Sequence, residues 1–429
     1  MAASRCRSRP RSQWPARLAL SLSGIVLGLL IAELSLRVAG VTSSPQGVFF
    51  VPDPIAGWAH RPGASGVWTY EGHALVTINR EGQRDKEHRF RKDPGVVRIA
   101  VLGDSFASAF QVAQSDDFCS VLERKLASCR ALNGRKPEVI NFGVNAYGTA
   151  QELLILRNRV WQYSPDVVVL AFYPNDLYDN SRDLQKEYPE YAQAGRPYFD
   201  LSNGSLVLDD SFAHLPEFKA ALRDAGDFSA AFGKGVHPLL WKFRLWQLAA
   251  RFRASGKVNL EERFAGALLN PPRNEHWSNA WKLTEALLTT INAECASRGV
   301  AFLLVVVSYS YQVYPGSEAR GRILDELGVR DPSYLSRRLE ALGCREKFKV
   351  LSLVEPMRNR ADKEHIYFHG FSNTALGRGH WNERGHLAAG ELMAAAVCEM
   401  FEMNATRKAA SVLGQGVGGR QPSLASRRR

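Results

Sequence analysis

The chain has 429 residues, 45% hydrophobic and 23% charged, which is ordinary for a globular protein with one large domain or two smaller ones. Its net charge of +12 comes almost entirely from the two ends, from Arg5, Arg7, Arg9, Arg11 and Arg17 and from Arg407, Lys408, Arg420, Arg427, Arg428 and Arg429. The body between them is near neutral, so the charge is no nucleic-acid face and no nucleic-acid partner is expected.

In chain order, residues 1–17 form a basic tail expected on the cytoplasmic side. Residues 18–38 open with the apolar run "LALSLSGIVLGLLIA" and are predicted to be an uncleaved transmembrane signal anchor. Charge before the run and none like it after predicts that everything beyond residue 40 is exported, to a periplasmic or extracellular site. Residues 41–95 form an N-terminal extension. It starts as an irregular Pro/Gly-rich segment and ends in a strand, "HALVTINREGQRD".

The main domain is predicted over residues 96–403. "VVRIAVL" (Val96–Leu102), "EVINF" (Glu138–Phe142) and "DVVVLAF" (Asp166–Phe172) are short β-branched runs suited to buried parallel strands. Helices are predicted near Asp116–Ser128 and Ala150–Trp161. From about residue 179 to 274 the rhythm breaks, and this insertion reads as mostly helix and loop. The rhythm returns with a helix at "SNAWKLTEALLTTINAECASRG", strands at "AFLLVVV" and "KVLSL", and a last helix from about Glu383 to Phe401. Residues 404–429 read as a disordered basic tail. Strands alternating with helices predict an α/β, doubly wound parallel sheet.

Of the six cysteines, Cys6 falls in the cytoplasmic tail. The other five allow at most two bridges. Cys119 and Cys129, at the two ends of one predicted helix, would lie about 15 Å apart, too far to bond. His365, His369, His380 and His386 have no carboxylate or cysteine pattern that would suggest a metal, and no cofactor is expected.

Ligands of such sheets bind beyond the carboxyl ends of the strands. There the three strands before the insertion run into "GDSFASAF", with Ser105 at a strand-to-helix turn; "NFGVNAYGT", a Gly-containing loop; and "FYPNDLYDN", with Asn175 and Asp176. A fourth segment, "GHWNERGH", brings His380. Serine, backbone N–H groups, an amide and a histidine are the parts of acyl transfer: nucleophile, oxyanion donors and general base.

"VLGDSF", "NFGVNAYG", "YPND" and "GHWNERGH", in this order, resemble the four blocks of the GDSL/SGNH hydrolase superfamily, over roughly residues 73–403. "INREGQRD" and the single N-terminal anchor resemble its membrane-anchored bacterial branch, with some likeness to polysaccharide O-acetyltransferase relatives. The resemblance implies a flavodoxin-like SGNH fold. It implies Ser105 as nucleophile, His380 as base, and an oxyanion hole from the Ser105 N–H, a second-block N–H (Ala146, or Gly148 two residues on) and the Asn175 side chain. His386 would be structural and Asp104 a turn residue.

One part is missing. The family's acid stands three residues before the base, or two in acetyltransferase-like relatives, and here those positions are Gly377 and Arg378. A backbone carbonyl could orient His380, or a carboxylate from elsewhere, with Asp176, Asp179 and Glu383 as candidates. The leading expectation is a membrane-anchored, extracytoplasmic esterase that forms an acyl-serine on an ester-bearing substrate, such as an O-acetylated polysaccharide. The alternatives are an O-acyltransferase acting on a cell-surface polysaccharide, fed by a membrane-bound acyl-donor partner, and a catalytically impaired glycan-binding or scaffold protein.

Overall fold

The computed structural model describes residues 14–38, 46–189, 195–223, 243–246, 248 and 260–416. The chain divides into two units, Met1–Pro45 with Val236–Lys257, and Gln46–Gly235 with Val258–Arg429. The basic tail before Trp14, with Cys6, and the end of the C-terminal tail lie outside the described residues.

In the first unit a helix runs from Trp14 to Val38. Its segment Arg17–Val38 is the one helix among the described residues that is long and apolar enough to cross a membrane. At 1.5 Å per residue it covers about 33 Å, close to the hydrocarbon thickness of a bilayer. Leu20, Ile25 and Leu30 are exposed around it, which is not how a core helix of a soluble protein meets water.

In the second unit the strands are, in chain order, β1 (Phe50–Asp53), β2 (Gly57–His60), β3 (Ser65–Trp68), β4 (Ala74–Thr77), β5 (Val96–Gly103), β6 (Lys136–Asn141), β7 (Val167–Phe172), β8 (Tyr198–Ser202), β9 (Ser205–Asp209), β10 (Ala301–Val306) and β11 (Lys349–Ser352). Five of them form one sheet in the order β11-β10-β7-β5-β6, every neighbouring pair parallel. All six residues of β7 are buried, as a strand covered on both faces requires. Each fully buried Leu, Val or Phe here contributes about 1.5–3 kcal/mol against its exposed state. The chain moves outward in both directions from β5, so the strand order reverses between β5 and β7. That is the crevice where a doubly wound sheet offers a site.

Helices cover both faces. Phe118–Leu126 packs on the last helix, Glu383–Gly416, and Thr149–Asn158 packs on Glu275–Ser297. Gly390 permits the first crossing, because a Cβ there would sit 2.6 Å from Val121. A disulfide from Cys129, just beyond the end of Phe118–Leu126, to Cys398 in the last helix ties the same region together. Cys119 and Cys295 are buried free thiols, and Cys344 is exposed.

Three local readings change. The last helix continues through the first part of the expected tail, where "ATRKAASVL" is made mostly of good helix formers. The extension is not merely irregular: it folds as two antiparallel hairpins, β1–β2 and β3–β4, on the main sheet's unit. The insertion carries short helices but also a hairpin, β8–β9. It turns at Asn203-Gly204, both with positive φ (49° and 77°), as the common two-residue hairpin turn requires.

Candidate active site

β5 ends at Gly103, and a short helix, Ser105–Ser108, starts at once. Asp104 caps it, its Oδ1 accepting the Phe106 N–H at 2.9 Å. Burial raises the Asp104 carboxyl to about 6, against hydrogen bonds that lower it. Ser105 is therefore held at the first helical position, its hydroxyl at the strand's carboxyl end. Asp104 does the work of a turn.

His380 comes from the far end of the chain, and its loop is pinned on both sides. The Gly370 N–H donates to the His380 carbonyl at 2.9 Å, and the Gly377 N–H to the His369 carbonyl at 2.8 Å. Trp381 is fully buried and donates from Nε1 to Ser308 Oγ. The Asn382 side chain accepts the N–H groups of Arg384 and Gly385, capping the last helix. The His380 ring packs against Phe106, centroids 4.9 Å apart. Its Nε2 lies 2.7 Å from Ser105 Oγ.

The acid comes from the N-terminal extension. Glu71 stands at the tip of the β3–β4 hairpin. Its Oε2 is 2.5 Å from His380 Nδ1, and its Oε1 accepts the His380 backbone N–H at 2.8 Å. A carboxylate can only accept, so Nδ1 carries the proton and Nε2 is left to accept from the serine hydroxyl. Burial by itself would raise the Glu71 carboxyl. The charge of His380 and the two hydrogen bonds outweigh it and hold Glu71 below the usual range.

None of the acids expected for this place occupies it. Asp176 accepts from Thr149 Oγ1 at 3.0 Å, Asp179 binds Arg196, and Glu383 is exposed. The backbone-carbonyl option belongs to another histidine: His369 Nδ1 faces the Gly379 carbonyl at 2.6 Å. The motif positions have a physical reason to be empty. Gly377 has φ +80° and a Cβ there would lie 2.5 Å from the Tyr314 ring; Arg378 turns away to Glu262. Gly379, at φ +75°, is filled from outside, since a Cβ would sit 2.2 Å from Glu71 Oε1.

The two other candidate donors lie on the neighbouring loops. After β6, Gly143 packs on Ala107 and its N–H donates to Asn141 Oδ1. Ala146 has φ +62°, the left-handed conformation that favours glycine. The Gly148 N–H is spent on Gln151 Oε1 at 3.2 Å, so Gly148 serves as helix N-cap and Ala146 remains the backbone donor candidate. After β7, Asn175 donates from Nδ2 to Asp179 Oδ2 at 3.1 Å.

His369 and His386 are fully buried, and burial pushes both down, His369 to about 4. His386 Nδ1 accepts the Phe118 N–H, a packing role. Among the described residues no group of His, Cys, Asp and Glu is arranged to hold a metal ion.

The four blocks therefore sit at the carboxyl ends of β5, β6 and β7 and before the last helix, around the point where the strand order reverses. The fold is an α/β doubly wound parallel sheet, as the alternation of strands and helices predicts. No family model matches the chain, and no curated protein does. Solved structures similar to it include an acetyl xylan esterase, 12% identical, covering 70% of this chain and 100% of that one with a TM-score of 0.35. A lipase/acylhydrolase from Enterococcus faecalis is 15% identical over 71% of this chain and 96% of that one, TM-score 0.34. A catalytic mutant of an acetylxylan esterase from Geobacillus stearothermophilus is 11% identical over 69% and 92%, TM-score 0.34.

Proposed function

We propose that this SGNH-type chain is a serine esterase, anchored by its N-terminal helix and working outside the cytoplasm. The observation that carries the reading is the continuous chain Ser105 Oγ, His380, Glu71, with contacts of 2.7 and 2.5 Å. Ser105 Oγ attacks the ester carbonyl while His380 Nε2 takes its proton. Glu71 stabilises the imidazolium that results. The tetrahedral oxyanion is met by the N–H groups of Ser105 and Ala146 and by the Asn175 amide. As the C–O bond breaks, His380 returns the proton to the leaving alcohol. Water then attacks the acyl-serine with His380 again as base, and the carboxylic acid leaves.

The Cys129–Cys398 disulfide supports an oxidising compartment. The apolar helix and the arginines before it support an anchor with its N-terminus inside. The same acyl-serine could pass its acyl group to a sugar hydroxyl, so an O-acyltransferase differs only in the acceptor. Glu71 weakens the impaired-site reading, whose argument was the absent acid.

The test is hydrolysis of a small acetyl ester by the full chain in detergent. Wild type is expected to turn over, and Ser105→Ala and His380→Ala to fall to background. Wild type no faster than both variants would sink the esterase reading. Acetyl transfer to an added oligosaccharide in preference to water would move the assignment to the transferase.

A further inference from the structure

Arg196 lies in the insertion that the family resemblance leaves unexplained, yet its side chain is 1% exposed. Its guanidinium lies over the Trp58 ring, 5.0 Å from the centroid. Nη2 donates to the Ala146 carbonyl at 2.8 Å and lies 2.8 Å from Asp179 Oδ1. Nη1 donates to Gln151 Oε1, the same oxygen that caps Gly148. A guanidinium this deep is a poor way to gain stability, because an apolar side chain of similar volume avoids the loss of hydration.

What it touches suggests another use. Ala146 is a non-glycine residue at φ +62°, a conformation that persists only where the surroundings impose it. Both peptide planes beside it are tied. The Asn145 carbonyl accepts from Trp58 Nε1 at 3.0 Å, and the Ala146 carbonyl accepts from Arg196. In a trans peptide the N–H points opposite to the carbonyl, so holding Asn145 O toward Trp58 aims the Ala146 N–H away from it. On the other side, Asp179 takes Arg196 on Oδ1 and the Asn175 amide on Oδ2. One fork thus reaches both non-serine donors, Ala146 directly and Asn175 through one carboxylate.

We propose that Arg196 is the positioning residue of the oxyanion hole, holding the left-handed Ala146 loop and, through Asp179, the Asn175 amide in donor geometry. This rests on the esterase reading above. Arg196 touches no reacting atom; it acts through the two donors. The planar fork matters as well as the charge, since a lysine ammonium can replace only part of the set.

The experiment compares the full chain in detergent as wild type, Arg196→Lys, Arg196→Met and Arg196→Met with Ala146→Gly. It reads kcat and KM on an acetyl ester, the rate at which a fluorophosphonate labels Ser105, and the melting temperature. Losing one oxyanion donor costs about 10²–10³ in kcat, so a displaced one should cost about 10- to 100-fold. Arg196→Met should lose that much in both kcat and labelling, with KM within about twofold, and Arg196→Lys should fall between. Adding Ala146→Gly should recover part of both rates, because glycine takes φ +62° unaided, with no matching recovery in melting temperature.

A folded Arg196→Met as fast as wild type would overturn the proposal. So would a loss that follows melting temperature through all four proteins. If Arg196→Met does not fold, Arg196→Lys decides: slower rates in a folded protein support the proposal, full rates overturn it. Wild type left unlabelled at Ser105 would instead remove the esterase reading, and this proposal with it.

Discussion

Glu71 gives His380 two contacts where an orienting acid needs one. The Nδ1 bond sets the tautomer, and the bond to the backbone N–H fixes the carboxylate to the loop that carries the ring. Glu71→Gln keeps the size and removes the charge, and its amide can present a donor to Nδ1. Turnover should fall by about 10²–10⁴, in line with the loss of the acid in other Ser-His-Asp sites, with little change in melting temperature. Steady-state ester hydrolysis with a parallel melt checks this; activity within threefold of wild type would mean Glu71 does not orient the base. Ser105 and His380, which the structure brings to 2.7 Å, were legible because each sits inside a local motif whose strand or helix end places it. Glu71 was not, because "TYEGHALV" has no feature that marks its glutamate. The nearest hint was negative: a glycine and an arginine at the two positions where the motif has an acid.

At the scale of the element, the β3–β4 hairpin is what makes Glu71 useful. Asn373 clips its tip, donating from Nδ2 to the carbonyls of Thr69 and Gly72 and accepting the Gly72 N–H on Oδ1. Gly72 must be glycine there, since at φ +70° a Cβ would stand 2.2 Å from the Gln111 carbonyl. Asn373 is exposed, so it contributes to positioning more than to stability. Asn373→Ala should lower kcat about 10-fold while unfolding free energy changes by about 1 kcal/mol or less. Urea unfolding beside the ester assay tests this, and an equal loss in both would make the clip merely structural. The strands of the main sheet were legible as apolar runs. The hairpins of the extension were not, because strands of four residues give too little alternation to read. The β8–β9 hairpin did leave a signal, the Asn203-Gly204 pair between alternating residues.

Across the whole molecule, the carboxyl end of the sheet rests on buried acids. Neither oxygen of Glu152 has a hydrogen-bond partner among the described residues, and Asp176 Oδ1 has none. Burial, with the nearby acids adding to it, raises Glu152 and Asp176 well above their usual range and Asp179 to about 6. A carboxyl raised on folding stabilises the native state below its unfolded pKa, and that contribution is lost as pH rises through the folded pKa. Glu152→Gln should therefore gain on wild type as pH climbs from 5 to 8, by up to about 1.4 kcal/mol per pH unit. Melting temperatures at pH 5, 6.5 and 8 measure it, and an advantage that shrinks with rising pH would refute the burial argument.

What the sequence determined by itself is what short-range pattern can carry. Apolar runs and helical periods specify a doubly wound parallel sheet, and three motifs at strand ends with a fourth before the last helix mark the candidate nucleophile, donors and base. The tertiary structure alone brought Glu71 to His380 and Arg196 to the Ala146 loop. Glu71 and His380 are 309 residues apart in sequence, and Arg196 reaches Ala146 across 50. A hydrogen bond needs only two groups within about 3 Å, whatever the chain between them. Such partners leave no spacing to read. They show in sequence only as the small residues that make room for them, as Gly379 does for Glu71.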